Sequence, residues 1–378
     1  MAWTLPRYSR GQVDKAGKSL VKNSAKKLFY ASVPPSDLEI VNNWRSSHIL
    51  PLFVIRRTLE NRAKALSQEA LVADRIKRLP SIEQKLVDNE YRNLRLTQIE
   101  DIGGCRAILP TIGQTVALDG RYSQRGIGSE FSRRRDYITQ PKPDGYRSIH
   151  LVYKYRSARK HYEAYNGHRI EIQIRSRLQH TWATAVEMLQ TFADIRVKLG
   201  PVETNPERIP GTLREESHIA TWRRFFVLMA SAMALRENQP VVEGTSSSQD
   251  TLKAEIRDLA RELHVVDLFA SWSFVSKDVP HFTGRPDTSQ FLVQLNPQTK
   301  QIFVKGYRAE ESSTAFLEYL DAEKGKGSFP SANVVLVSVN SLQALQSAYP
   351  NYFADTANFV GFLGHHILEF GKPGVSLD

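Results

Sequence analysis

The chain has 378 residues, 41% of them hydrophobic and 24% charged, with a formal net charge of +11. That composition excludes wholesale disorder, allows a large core, and at this length favours two domains over one. No run of about 18 apolar residues occurs, and MAWTLPRYSRGQ lacks the apolar stretch of a secretory signal, so a cytoplasmic protein without a membrane span is expected. The single cysteine, Cys105, excludes a disulfide framework and any multi-cysteine zinc site. Charge is divided unevenly: residues 241–378 hold 11 basic and 16 acidic residues, net −5, which leaves 40 and 24, net +16, in residues 1–240. A basic part of this kind attracts phosphate-rich ligands, and an acidic part joined to it is suited to sit on it.

In chain order, SRGQVDKAGKSLVKN predicts a basic amphipathic helix capped by Ser9, and two further helices follow the Pro34-Pro35 break. From Ile76 the texture changes. GCRAIL, RRDYI, IHLVYKY and HRIEIQIRS are short runs rich in β-branched and aromatic residues, separated by helical segments such as IGQTVALDGRY. They predict a mixed α/β sheet, after which RLQHTWATAVEMLQTFADI and TLREESHIATWRRFFVLMASAMALREN return to helical spacing. QPVVEGTSSSQD, residues 239–250, has the composition of a flexible connector and divides residues 1–238 from 251–378. Beyond it, TLKAEIRDLARELHVV reads as a helix, FLVQLNPQTKQIFVKGY as a hairpin, TAFLEYLDAEKG as a helix, NVVLVSV as a buried strand, and the last segment as helices broken at Pro350. The fold class is therefore α/β (α+β), a mixed-sheet domain with flanking helices and a smaller C-terminal α/β domain.

The chemistry concentrates in four blocks. In QPKPDGYRSIHLVYKY, Lys142 and Arg147 can face phosphates, Gly145 lets the backbone turn sharply, and Tyr146 offers a ring on which a nucleobase can stack. Upstream, in RIKRLPSIEQK, the cations Arg75, Lys77, Arg78 and Lys85 bracket Ser81 at a strand-to-helix junction suited to a triphosphate. IEDIGGCRAIL places Asp101 and Arg106 around two glycines at the start of a strand. HRIEIQIRS alternates, so that Glu171 and Gln173 share one face while Ile170, Ile172 and Ile174 fill the other. Two carboxylates, Asp101 and Glu171, among arginines and lysines are what Mg²⁺-dependent phosphoryl-type transfer requires.

These blocks in this order, RxKxxxS from Arg75 to Ser81, D-x-x-G-x-R at Asp101, Gly104 and Arg106, KPDGYRSIH, and EIQIR with its following QH, resemble the synthetase domain of the RelA/SpoT alarmone synthetases over about residues 40–195. That resemblance implies a nucleotidyltransferase-like sheet and transfer of pyrophosphate from ATP to a ribose 3′-hydroxyl. It implies that Arg75, Lys77 and Arg106 contact ATP, that Asp101 holds Mg²⁺, that Tyr146 stacks on the acceptor base, and that Glu171 binds metal or activates the hydroxyl. Lys142, Arg147, His150, Gln173 and Arg175 would line the acceptor side or support the fold. No His-Asp dipeptide occurs, so the hydrolase activity of the long enzymes is not expected. The domain order is similar to the toxic small alarmone synthetase group, and within it to the phage-sensing CapRel type. There a C-terminal domain covers the active site through a Tyr-x-x-Tyr motif until a phage capsid protein binds. Tyr349 and Tyr352 stand at that spacing. The acceptor expected on this reading is the CCA end of tRNA, with free guanine or adenine nucleotides as the alternative. His365 and His366 are expected to be structural.

Overall fold

The computed structural model describes residues 3–24, 33–124, 126–193, 195, 213–272, 282–283, 287–296, 298–299, 301–325, 333–339, 341–353 and 356–369. Three helices open the chain, α1 (Arg10–Ser24), α2 (Pro35–Ser46) and α3 (Ile49–Lys64). The strands and helices that carry the four blocks follow: β1 (Leu71–Ile76), α4 (Leu79–Asp88), β2 (Gly103–Leu109), α5 (Ile112–Gln124), β3 (Glu130–Asp136), β4 (Ile149–Lys154), β5 (Arg169–Ser176) and α6 (Arg177–Phe192). Next are α7 (Leu213–Arg236), α8 (Gln249–Glu262), α9 (Val265–Trp272), β6 (Phe282–Thr283), β7 (Gln290–Asn296), β8 (Gln301–Tyr307), α10 (Ser312–Glu323), β9 (Asn333–Ser338), α11 (Leu342–Ala348) and α12 (Ala357–Phe362). Among the described residues, no helix is long and apolar enough to cross a membrane.

Among the described residues, nine strands join one mixed sheet, in the order β3-β4-β5-β2-β1-β9-β7-β8-β6. The two halves of the chain meet where β1 pairs antiparallel with β9, at Asp74 opposite Ser338 and Arg75 opposite Val337. β2 and β5 run parallel, with Gly104 opposite Glu171 and Arg106 opposite Gln173.

The alternation of β5 has the expected result. Ile170, Ile172 and Ile174 are fully buried in a core that also takes Leu52, Ile55 and Leu59 of α3 and continues to Leu292, Phe316, Tyr319 and Leu336 of the C-terminal half. A second core on the opposite face unites Ala73 and Ile108 with Phe291, Val293, Val335, Val337, Tyr349, Tyr352 and Phe353. Apolar contacts on both faces bind the halves together, extensively in the first core and through Ala73 and Ile108 in the second, because apolar area removed from water is the dominant favourable contribution.

Residues 239–248 connect α7 to α8, and Gln249 and Asp250 already belong to α8. Val242 is buried, its N–H donates to the Ser231 hydroxyl at 3.0 Å, and Ser231 meets Thr245 at 2.8 Å. The strand expected in RRDYI ends at Asp136, one residue before Tyr137.

Candidate active site

The site lies on the sheet face that carries the odd-numbered residues of β1 and β5. A cavity of about 30 Å³ is lined by Arg75 and Lys77 from the β1 end, Asp101, Gly104 and Arg106 around β2, Glu171 and Gln173 of β5, and Tyr349. Asp101 is in the turn two residues ahead of β2, where Lys77 Nζ and Lys85 Nζ hold its two oxygens at 2.9 and 2.8 Å. Burial opposes its ionisation, but the two ammonium groups outweigh that and keep the carboxyl far below its usual range. Glu171 accepts from Gln173 Nε2 at 2.7 Å and lies 2.9 Å from His150 Nδ1. Burial again works against the charge, while His150 and Gln173 favour it and the nearby Asp101 raises the pKa; the net direction is down. Two ionised carboxylates therefore face one cleft.

Buried cations surround them. Arg106 Nε reaches Gln173 Oε1 at 3.4 Å, and burial together with the neighbouring Arg175 brings its pKa down to about 10, leaving it charged at neutral pH. Arg175 donates to the Tyr146 hydroxyl at 2.5 Å and to Gln173 Oε1 at 3.0 Å, yet its buried Nε and Nη1 have no hydrogen-bond partner among the described residues. Orphaned donors on a buried guanidinium are costly unless an anion joins them, and planar bidentate donors match phosphate.

The acceptor-side loop is fixed by Gly145, whose φ of +89° favours glycine and whose position leaves no room for a Cβ, 2.8 Å from Ala230 Cβ. The Asp144 carboxylate accepts the Tyr146 N–H at 3.0 Å. His150 links Tyr146 to Glu171, with Nε2 2.8 Å from the phenol oxygen. The Lys142 ammonium stands over two tyrosine faces, 5.1 Å from the Tyr146 centroid and 4.7 Å from that of Tyr137. Burial lowers the Lys142 pKa, against the attraction of Asp144 and Glu171.

Several expected residues have other places. Arg147 is not in the cleft: it is buried, donating to the carbonyls of Ile138 at 2.9 Å and of Pro240, so it braces the loop against the turn after α7. Arg78 turns to Asn333 Oδ1 of β9 at 2.8 Å, and Ser81 sits half-buried in the first turn of α4, outside the cavity lining. Tyr349 walls the cavity, 5.8 Å above the Arg106 guanidinium, with its hydroxyl 3.4 Å from the Asp74 carbonyl. Tyr352 does not line it; it is buried behind Tyr349 at a ring separation of 6.4 Å. Tyr137 and Arg45 were not legible as site residues. Arg45 had one signal, since Val41, Trp44 and Arg45 share a buried face of α2 and an arginine there requires a partner.

Among the described residues no group of three His, Cys, Asp or Glu is poised around a metal. Asp101 and Glu171 nonetheless fit Mg²⁺: both are ionised hard-oxygen donors on one cavity, and this ion commonly takes its remaining ligands from water and substrate phosphates.

The mixed sheet thus turns two ionised carboxylates and buried guanidinium groups toward one cleft. Residues 74–190, which carry most of this site, match the family described as "Region found in RelA / SpoT proteins". No curated protein matches the chain. Among solved structures, it is similar to small alarmone synthetase 1 from Bacillus subtilis bound to its product pppGpp, at 20% identity and a TM-score of 0.36 over 52% of this chain and 92% of that one. It is also similar to a GTP pyrophosphokinase family protein from Streptococcus pneumoniae, at 19% identity and a TM-score of 0.35 over 58% and 94% of the two chains.

Proposed function

We propose that this chain is an ATP-dependent pyrophosphotransferase restrained by its own C-terminal half. The observation that carries this reading is the cavity itself: catalytic-type charges converge on it, yet with Tyr349 in place it has the volume of about one water molecule. With Tyr349 withdrawn, the donor triphosphate would lie against Arg75, Lys77, Lys85 and Arg106. Asp101 and Glu171 would hold Mg²⁺, which would neutralise triphosphate charge there. The acceptor base would stack on Tyr146, and Glu171 would take the proton of the 3′-hydroxyl. The 3′-oxygen then bonds to the β-phosphorus, the bridge between α- and β-phosphates breaks, and AMP leaves.

The acceptor on this reading is the CCA end of tRNA, supported by the net charge of +16 on residues 1–240, since neutralising several backbone phosphates strengthens binding through counterion release. A tRNA blocked at its 3′-hydroxyl cannot be charged, so translation stops. Binding of a phage capsid protein to the C-terminal half would release the restraint in an infected cell. A free guanine or adenine nucleotide would meet the same Tyr146 ring and Lys142 ammonium, giving an alarmone instead.

Incubation of the Tyr349→Ala, Tyr352→Ala chain with γ-³²P-ATP and either tRNA or GDP separates these outcomes. Label on tRNA is expected. Label on GDP alone would move the acceptor to nucleotides, and no transfer to any acceptor would remove the transferase reading.

A further inference from the structure

The backbone of the donor clamp is held by residues outside the four blocks. Arg45, on α2, is fully buried, and its Nε and Nη2 donate to the carbonyl oxygen of Lys77 at 3.2 and 3.1 Å. Lys77 is the residue whose ammonium grips Asp101. The charge of Arg45 is met from the far end of the chain, by Glu323 at the close of α10, with Nη2 2.9 Å from Oε2 and 3.1 Å from Oε1. Oε1 also accepts the N–H of Leu79, the first residue of α4, at 3.1 Å, and the Tyr319 hydroxyl at 2.7 Å. That hydroxyl in turn accepts from Arg45 at 3.0 Å. The C-terminal half is thus wired by a buried polar network into the turn between β1 and α4.

We infer that Glu323 is a positioning residue of the donor site, so that the C-terminal half has two opposed effects: Tyr349 closes the cleft while Glu323 keeps the clamp in shape. The inference rests on the donor-site reading above. Removing one partner of a buried ion pair leaves the other charge poorly compensated, so without Glu323 the Arg45 guanidinium is driven toward other acceptors and away from the Lys77 carbonyl. The first turn of α4 loses at the same time the carboxylate that satisfies one of its free N–H groups and complements the helix dipole. Both changes act on the backbone that aims Lys77. Activation therefore withdraws the α11 segment that carries Tyr349 and leaves α10 docked; wholesale departure of the C-terminal half would weaken the donor site it uncovers.

The test uses the full chain carrying Tyr349→Ala and Tyr352→Ala, with and without Glu323→Gln. Two quantities are read: calorimetric affinity for a non-hydrolysable ATP analogue, and kcat and KM for transfer. Glu323→Gln is expected to weaken analogue binding and raise the KM for ATP about tenfold or more, while kcat stays within about twofold, as loss of charge-assisted bonds behind the clamp implies. Tyr319→Phe, which removes one hydroxyl and keeps the ion pair, is expected to act in the same direction by about threefold, and it serves should the glutamine variant not fold. Unchanged or tighter analogue binding in these variants would overturn the inference. Glu323-dependent analogue binding without any transfer would leave the inference standing and remove the transferase reading. A parent double variant that binds no analogue would overturn both.

Discussion

Along the sheet face that carries the cavity, the strands of the N-terminal half and those of the C-terminal half present different chemistry. β5 and β2 show Glu171, Gln173, Arg175 and Arg106 to that face, whereas β9 and β7 show Val335, Val337, Phe291, Val293 and Leu295. The change falls at β1, where Arg75 pairs with Val337. Tyr349 straddles this border: it belongs to the apolar cluster and also walls the charged cavity, where the Arg106 guanidinium stands over its ring. An apolar sheet surface can thus seat an aromatic plug with little directional bonding, while the charged surface beside it keeps unsatisfied donors that an incoming polyphosphate would fill. The proposed restraint and the proposed catalysis are separated by one strand.

Two substitutions break or sharpen that contrast. The largest effect is expected on the charged side: in the Tyr349→Ala, Tyr352→Ala chain, Glu171→Gln should lower the rate of label transfer on the order of 10³-fold, the scale of a lost general base. A rate within tenfold of the parent would show that Glu171 takes no proton. The smallest effect is expected at Arg78, which touches the border without entering the cleft. Arg78→Ala should leave ATP-analogue affinity within about threefold and lower the thermal stability of the native chain by about 1 kcal/mol, the value of a single hydrogen bond. A tenfold loss of affinity would return Arg78 to the donor site.

The charged half was legible because its signals are local. IEIQIR alternates with the period of a strand, so the face of Glu171 followed from its neighbours. Asp101 and the lysines were readable for a similar reason, as charges grouped around a strand start. For Arg147 the sequence left two places open, the acceptor side or support of the fold, and the contacts with the carbonyls of Ile138 and Pro240 are of the second kind, which spacing does not reveal. Arg78 was misplaced because its partner Asn333 is 255 residues away. Continuity of the sheet across the halves escaped for the same reason: Asp74 and Ser338 meet through tertiary register, and composition around residues 239–250 suggested separation. Tyr349 and Tyr352 share a motif, but only packing distinguishes the ring that walls the cavity from the ring that supports it.

Equilibrium binding of a non-hydrolysable ATP analogue to the native chain and to the Tyr349→Ala, Tyr352→Ala chain tests most directly whether the tyrosine segment shuts a working donor site. The variant should bind on the order of 10²-fold more tightly, because a tethered plug competes at high effective concentration. Equal affinity in the two chains would contradict the account.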